Sequence, residues 1–151
     1  MEIKTDDLSG PQIRALLEEH FQHMLEQSPP GSCHFLDFDG LRQPDVTFWS
    51  VWDNDQLAGC GALKELDQQH GEIKSMRTAK PYLRKGVAAL MLQYILDVSA
   101  QRGYQRLSLE TGAPAGFEPA RQLYYRFGFE DCPPFGSYCE DPYSVFMTKK
   151  L

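Results

Sequence analysis

Residues 78–92 read TAKPYLRKGVAALML, and this stretch decides the fold of the chain. It predicts the end of a strand, a short basic turn with Gly86 at its tightest point, and an amphipathic helix that begins at Val87. Gly103 is suited to end that helix, because glycine readily adopts the left-handed conformation of a C-terminal cap. Apolar residues recur along the helix at helical spacing and predict one buried stripe: Val87, Leu90, Met91, Tyr94, Ile95 and Val98.

The turn and the first helical residues form a predicted anion site. A helix N-terminus carries backbone amides without partners and a partial positive charge, and both favour a phosphate. Gly86, Ala88 and Ala89 are small enough to let that phosphate approach the backbone. From Ile73 to Leu96 the chain has five basic residues and no acid. Taken alone, the segment is equally typical of an ordinary strand–turn–helix connection with a solvated basic turn.

Two motifs place this segment in a wider pattern. From Leu83 the chain resembles the acyl-CoA signature Arg/Gln-x-x-Gly-x-Gly/Ala of the GNAT superfamily of acyl-CoA-dependent N-acetyltransferases, with Gly86 and Ala88 on the small positions and Leu83 in place of Arg or Gln. A second signature of that family, Ala-x-x-Leu-Tyr-x-x-x-Gly-Phe, is matched in full by Ala120, Leu123, Tyr124, Gly128 and Phe129. Phe117 stands where the family often has Asn. The order of the motifs, separated by one strand-length segment, makes the resemblance specific over residues 70–130.

The resemblance implies an α/β fold in which a central mixed, mostly antiparallel sheet is flanked by helices. Local patterns agree with it. A capping box at Ser9 predicts a helix to about Gln27, and residues 28–44 are loop-like with at most a short helical turn. Further strands and one more helix are predicted at Val46–Trp52, Leu57–Lys64, Glu72–Thr78, Gln105–Glu110, Glu118–Phe127 and Tyr143–Thr148. We expect a single domain over residues 1–151, since no linker or repeat interrupts these patterns.

Composition excludes several classes of protein. The 151 residues carry a net charge of −6, which argues against general nucleic-acid binding. No apolar run approaches the roughly 20 residues that span a membrane, and the first residues do not resemble a signal peptide. The cysteines Cys33, Cys60, Cys132 and Cys139 are scattered and lack metal-ligand spacing, so we expect reduced thiols in the cytoplasm and no metal. A homodimer stays open.

Charge is unevenly distributed along the chain. Up to Asp67 there are 13 acids and four basic residues, whereas the remainder is slightly basic. Such a split favours a basic half that holds a polyanionic cofactor and an acidic half that attracts a cationic acceptor, although solvated surface acids are the simpler interpretation of any one residue. We expect residues 28–44, with Asp37 and Asp39, to form one wall of the acceptor cleft.

The resemblance implies acetyl transfer from acetyl-CoA to an amine. An alkylammonium must first lose a proton, at a cost of about 4.6 kcal/mol at pH 7. Glu72 lies where several family members place the carboxylate that removes it, and Glu110 is the competitor. Tyr124 matches the tyrosine that protonates the departing CoA thiolate. The resemblance also implies that two segments bind the cofactor, mainly through their backbone groups. The thioester carbonyl contacts the strand segment Met76, Arg77 and Thr78. The CoA phosphates contact the turn and the start of the helix: Arg84, Lys85, Gly86, Val87, Ala88 and Ala89.

Three questions stay open at this level. The acceptor amine belongs to a small molecule or to a protein, and neither motif distinguishes them. The departures at Leu83 and Phe117 leave room for a non-catalytic acyl-CoA-binding module that regulates a partner. The same residues are also compatible with a transferase that uses a longer acyl-CoA.

Overall fold

The computed structural model describes residues 1–29, 31 and 34–151. Within them a mixed sheet is flanked by helices on both faces. The strands are β1 (Glu2–Thr5), β2 (Val46–Asp53), β3 (Gln56–Asp67), β4 (His70–Thr78), β5 (Arg106–Gly112), β6 (Glu130–Asp131) and β7 (Ser144–Lys150). The α-helices are α1 (Pro11–Gln27), α2 (Phe38–Leu41), α3 (Val87–Gln101) and α4 (Glu118–Arg126), and 3₁₀ turns span Lys80–Tyr82 and Ala115–Phe117.

The strands lie in the order β1-β2-β3-β4-β5-β7-β6. Neighbouring strands are antiparallel except β4 and β5, which are parallel because the chain crosses over through α3 between them. β4 and β5 pair only over His70–Ile73 and Arg106–Leu109. Beyond that point β4 continues to pair with β3 as far as Thr78, and β5 continues to pair with β7 as far as Gly112. The two central strands therefore separate and leave a cleft in the middle of the sheet.

Alternating side chains of the sheet fill two separate hydrophobic cores. On one face Trp49, Leu63 and Ile73 pack with α3 and α4. On the other face Phe48 and Ala62 pack with α1 and α2. Gly61 brings α3 close to β3, because a Cβ there would lie 2.8 Å from atoms of Met76 and Met91. The helices are thereby held at fixed positions on either side of the cleft.

Most predicted elements are confirmed, with bounds shifted by one to three residues, and the loop over residues 28–44 contains the short α2. The predicted capping box is wrong. Gly10 is the N-cap residue of α1, while the Ser9 hydroxyl donates to Asp7 at 2.6 Å. The Gln12 side chain bonds the β2–β3 turn, at the carbonyl of Asp55 and the amide of Leu57. The short edge strands β1 and β6 were not predicted, since neither has a recognisable alternation of its own.

The buried face of α3 differs from the predicted stripe. Val87, Met91 and Ile95 are buried as expected, but Leu90 and Tyr94 are 41% and 36% exposed. Leu92, Leu96 and Ser99 take the remaining buried positions. The helix is apolar around more than half of its circumference, so spacing alone does not determine which side faces the sheet.

Three further features concern the described residues only. Cys60, Cys132 and Cys139 are free thiols, and Cys33 lies outside those residues. No helix among them is both long and apolar enough to cross a membrane. No group of three or more His, Cys, Asp or Glu side chains within residues 1–29, 31 and 34–151 has an arrangement that would hold a metal ion.

Candidate active site

A cavity of about 100 Å³ occupies the point at which β4 and β5 separate. Its walls come from α1, β4, β5, the 3₁₀ turn before α4, and α4 itself, together with His34 and Phe35 of the α1–α2 connection. Asp37 and Asp39, predicted to line the acceptor cleft, are not among the lining residues. The Asp37 carboxylate instead accepts the amide of Gly40 at 2.8 Å and caps α2. The expected acidic wall is therefore replaced by a histidine and a phenylalanine.

The β4 wall contains a β-bulge. Ala62 of β3 pairs with Lys74, but Cys60 pairs with Arg77, so Ser75 and Met76 share one position opposite Gly61. Ser75 has a φ of 57°, and its carbonyl accepts the Cys60 thiol at 3.3 Å. A bulge of this kind turns backbone groups out of the regular ladder. The segment at Met76 thus lies at an irregular strand edge that faces the cavity. The predicted contact between its backbone and the thioester carbonyl requires such a position.

The two candidate bases lie in different surroundings. Glu72 is 3% exposed and does not line the cavity. Its Oε2 accepts the Tyr138 hydroxyl at 2.6 Å and the Lys74 ammonium at 3.3 Å. Lys74 also donates to the Tyr138 hydroxyl at 2.7 Å and to the carbonyl of His34 at 3.2 Å. Glu72 and Lys74 therefore form a buried ion pair. Its hydrogen bonds to Tyr138 and to the carbonyl of His34 attach the loops that carry these two residues to β4.

Glu110 lines the cavity and directly follows Leu109, the last residue of β5 that pairs with β4. Burial raises the pKa of its carboxyl group, and the nearby Glu72 carboxylate acts in the same direction. A carboxylate with a raised pKa accepts a proton more readily than an ordinary one. Of the two candidates, Glu110 is the one that lines the cavity.

Tyr124 lies on α4 across the cavity from β4 and is 6% exposed. Burial raises the pKa of its hydroxyl far above the usual value, and the Glu110 carboxylate adds to this effect. Its ring packs edge-on against Phe129 at 5.8 Å, and Arg121 ties α4 to β5 by donating to the carbonyl of Gly112 at 2.7 Å. Tyr124 is therefore a fixed, protonated hydroxyl beside Glu110. Tyr125 points away, and its hydroxyl bonds Asp131 at 2.6 Å.

The turn after β4 has the geometry expected of an anion site. Arg84 and Gly86 have φ angles of 62° and 82°, so the turn is tightly wound before α3 begins. The first helical hydrogen bond of α3 runs from the amide of Leu90 to the carbonyl of Gly86, at 3.0 Å. The amides of residues 86–89 are the unpaired donors of a helix N-terminus. A Cβ at Gly86 would meet nothing within 4 Å, so the glycine itself lies at an open position of the turn.

The two departures from the family signatures have different consequences. Leu83 is 54% exposed and lies immediately before the turn. Phe117 is buried and covers the end of β5, because a Cβ at Gly112 would collide with its ring. Its ring lies 5.5 Å from that of His23 and closes the cavity between α1 and α4.

Several residues in and next to the cavity escape sequence reasoning. Lys74, His34 and Tyr138 belong to no motif, and Tyr138 lies 64 residues from the lysine that it contacts. Only Lys74 gave a signal, as a charged residue next to Glu72 within a predicted strand. His20 was visible as a histidine on the apolar face of α1, and it is buried at the cavity wall.

Comparison with known proteins agrees with this geometry. Residues 11–129 match the family model described as Acetyltransferase (GNAT) family. The chain is 61% identical over 151 residues to the uncharacterized N-acetyltransferase YsnE of Bacillus subtilis, with 100% of each protein covered. It is 58% identical over 149 residues to the uncharacterized N-acetyltransferase YedL of Escherichia coli, covering 99% of this chain and 94% of the relative.

Solved structures share the fold. A candidate acyl-CoA N-acyltransferase from Klebsiella pneumoniae superposes with a TM-score of 0.77 at 25% identity, over 99% of this chain and 97% of that one. A GNAT family acetyltransferase from Elizabethkingia anophelis with acetyl-CoA bound gives a TM-score of 0.69 at 17% identity, again over 99% and 97% of the two chains. The chain belongs to the GNAT family of acetyltransferases, enzymes that transfer an acetyl group from acetyl-CoA to an amine.

Proposed function

We propose that this chain acetylates an amine of a small molecule or protein by direct attack in a ternary complex, with Glu110 as the base and Tyr124 as the acid. The observation that carries the assignment is that both side chains line the cavity at the separation of β4 and β5. Acetyl-CoA supplies the activated acetyl group. Support for its use comes from family membership and from the fit of the turn over residues 84–89 to a pyrophosphate.

Each residue has one task in this scheme. The Glu110 carboxylate removes a proton from the acceptor ammonium, directly or through one water, so that the nitrogen can attack the thioester carbonyl. Backbone groups of the bulge at Met76, with Arg77 and Thr78 continuing the strand, face the carbonyl oxygen on which negative charge develops. The Tyr124 hydroxyl, which keeps its proton because burial raises its pKa, donates it to the departing thiolate.

The turn holds the cofactor mainly through backbone. Amides of Gly86, Val87, Ala88 and Ala89 bind the pyrophosphate, and the side chains of Arg84 and Lys85 add a screened electrostatic attraction. In this proposal residues 1–151 act as a single domain in the cytoplasm, in keeping with the free thiols of the described cysteines. A homodimer stays a prediction.

Release of free CoA thiol from acetyl-CoA across a panel of amines tests the assignment. We expect Tyr124→Phe to lower kcat about 100-fold without changing acetyl-CoA affinity, because only protonation of the leaving group is lost. Tyr125→Phe is the matched control, since its hydroxyl bonds Asp131 outside the cavity, and it should retain full activity. Equal activity in the two variants would refute the role of Tyr124.

The pH profile identifies the base. The wild-type kcat/KM should fall with decreasing pH through a pKa above the ordinary glutamate value of about 4.3, because burial raises the pKa of Glu110. Glu110→Gln should lower kcat/KM about 100-fold and remove that limb of the profile. A Glu110→Gln enzyme with an unchanged profile would exclude Glu110 as the base. Binding of acetyl-CoA without thiol release for any amine would instead support a non-catalytic module.

A further inference from the structure

Three buried polar atoms, two of them on residues of one cavity wall and the third close to it along β4, have no hydrogen-bond partner among the described residues. They are Nδ1 of His20, Oγ of Ser75 and Nε of Arg77. His20 and Ser75 line the cavity, and Arg77 follows Ser75 by two positions on β4. A buried polar group without a partner costs about 1–3 kcal/mol, so such groups are rare in folded proteins. Beside the cavity, these atoms leave hydrogen-bonding capacity that a ligand can use.

All three atoms are able to donate. Arg77 Nε is a donor only, the Ser75 hydroxyl donates through a rotating O–H, and Nδ1 of a neutral imidazole donates in one of its two tautomers. His20 is neutral, because burial lowers its pKa to about 4, with Arg77 and His23 acting in the same direction. A ligand group that accepts several hydrogen bonds therefore matches this wall.

The electrostatic field at His20 favours an anion. The charged group that acts on it from β4 is Arg77, which disfavours the imidazolium. Glu19 bonds the other end of the Arg77 guanidinium at 3.1 Å and is 41% exposed. The Lys74 charge farther along β4 is matched by Glu72 at 3.3 Å. Hydrogen-bond donors that include a guanidinium are the groups that bind a carboxylate.

We propose that His20, Ser75 and Arg77 bind a carboxylate of the acceptor, so that the substrate is a small amine that also bears a carboxylate, such as an amino acid. The inference rests on the proposed function, since it assumes that the amine lies beside Glu110. The carboxylate then contacts the wall formed by α1 and β4, while the amine faces β5 and α4. His20 is a residue that determines specificity, because it contacts the non-reacting end of the acceptor.

Matched pairs of acceptors test the proposal. Each α-amino acid is compared with the primary amine that remains when its carboxylate is removed, in the thiol-release assay with acetyl-CoA. We expect the amino acid of a productive pair to have a kcat/KM about 10-fold to 100-fold higher, which is the effect of hydrogen bonds to a charged group. Plain amines acetylated as well as their amino acids would overturn the proposal and leave the proposed function standing. No thiol release with any acceptor would refute both.

Two variants of His20 separate binding from folding. His20→Leu fills the buried position with an apolar side chain and should raise the KM of the amino acid about 10-fold while leaving the KM of the plain amine unchanged. His20→Asn keeps a polar atom near the position of Nδ1 and should restore most of the affinity. An equal rise in both KM values for His20→Leu would contradict the assignment.

A binding measurement on the wild-type protein needs neither turnover nor a variant. The His20 imidazole is titrated by NMR with and without a carboxylate compound that lacks an amine, the amino acid's deaminated analogue. A carboxylate bound at His20 stabilises the imidazolium and should raise the pKa from about 4. The plain amine of the pair should leave it unchanged. An unaltered pKa at saturating carboxylate, or equal shifts with both compounds, would overturn the proposal.

Discussion

The two ends of the β4–β5 pair have similar polar residues nearby, but these residues are hydrogen-bonded at one end and lack a partner among the described residues at the other. At the paired end, His70 Nε2 contacts the Ser108 hydroxyl at 2.6 Å, and Ser108 contacts Thr148 at 2.9 Å. At the separated end, His20 and Ser75 have buried polar atoms without a partner among the described residues. Each end thus combines a histidine with a serine. The difference is that one end satisfies its polar groups internally and the other leaves them for a ligand.

The two glutamates follow the same division. Glu72 pairs in register with Ser108, at the end where the strands are joined, and its carboxylate is bonded by Lys74 and Tyr138. Glu110 lies beyond the last paired residue and faces the cavity. The sheet therefore separates a carboxylate that is held by two hydrogen-bond donors from one that lines the cavity.

The largest expected effect concerns the turn beyond the separated end of β4. Gly86→Pro should lower acetyl-CoA affinity roughly 1,000-fold, because proline removes an amide donor and requires a φ near −65°, whereas Gly86 has a φ of 82°. Gly86→Ala is the matched control. Its Cβ meets nothing within 4 Å, so only the left-handed strain of about 1–2 kcal/mol remains.

Calorimetry with acetyl-CoA measures both variants. Circular dichroism confirms that Gly86→Pro is folded before its affinity is compared. If a folded Gly86→Pro binds acetyl-CoA as tightly as Gly86→Ala does, the pyrophosphate is held elsewhere and the assignment of residues 84–89 is wrong.

The comparison of the two glutamates predicts a stability difference. Glu72→Gln should lower the free energy of unfolding by about 3 kcal/mol, because it leaves the buried ammonium of Lys74 without its carboxylate. Glu110→Gln should be neutral or slightly stabilising at pH 7. Burial raises the pKa of Glu110 above its unfolded value, so its ionised form costs stability above that pKa and the amide removes this cost.

Urea unfolding at pH 7 and the thiol-release rate together decide the point. We expect a large loss of stability with Glu72→Gln and a large loss of rate with Glu110→Gln. The reverse pattern would show that the paired end, and not the separated end, supplies the base.

The motif residues account for most of what the sequence predicts. Gly86 and Tyr124 belong to signatures with fixed local geometry, so the turn, α3 and α4 follow from spacing alone. The choice between Glu72 and Glu110 does not follow, because it depends on Tyr138, which approaches from 66 residues away along the chain. Such a contact is a property of the folded sheet. No local pattern encodes it.

The faces of the helices show the same limit. Leu90 and Tyr94 fit the predicted stripe but are exposed, since α3 is too apolar for its spacing to specify one side. His20 lies on the apolar face of α1 and is buried, yet its Nδ1 has no hydrogen-bond partner among the described residues. The sequence indicates that a polar residue lies on a buried face of a helix. It does not indicate whether the folded protein supplies a hydrogen-bond partner for that residue.

The smallest predicted effect compares one serine from each end of the β4–β5 pair. Ser108 is 1% exposed, and Ser108→Ala removes the partner of His70, so the free energy of unfolding should fall by about 1–2 kcal/mol with kcat/KM unchanged. Ser75→Ala removes a hydroxyl that has no partner among residues 1–29, 31 and 34–151. Alanine and serine share the strain of a φ of 57° there, so stability should change by less than about 0.5 kcal/mol. The acceptor KM should rise instead. Urea unfolding and acceptor kinetics on both variants measure the contrast, and an equal loss of stability at the two serines would mean that Ser75 is bonded within the protein and that the two ends do not differ.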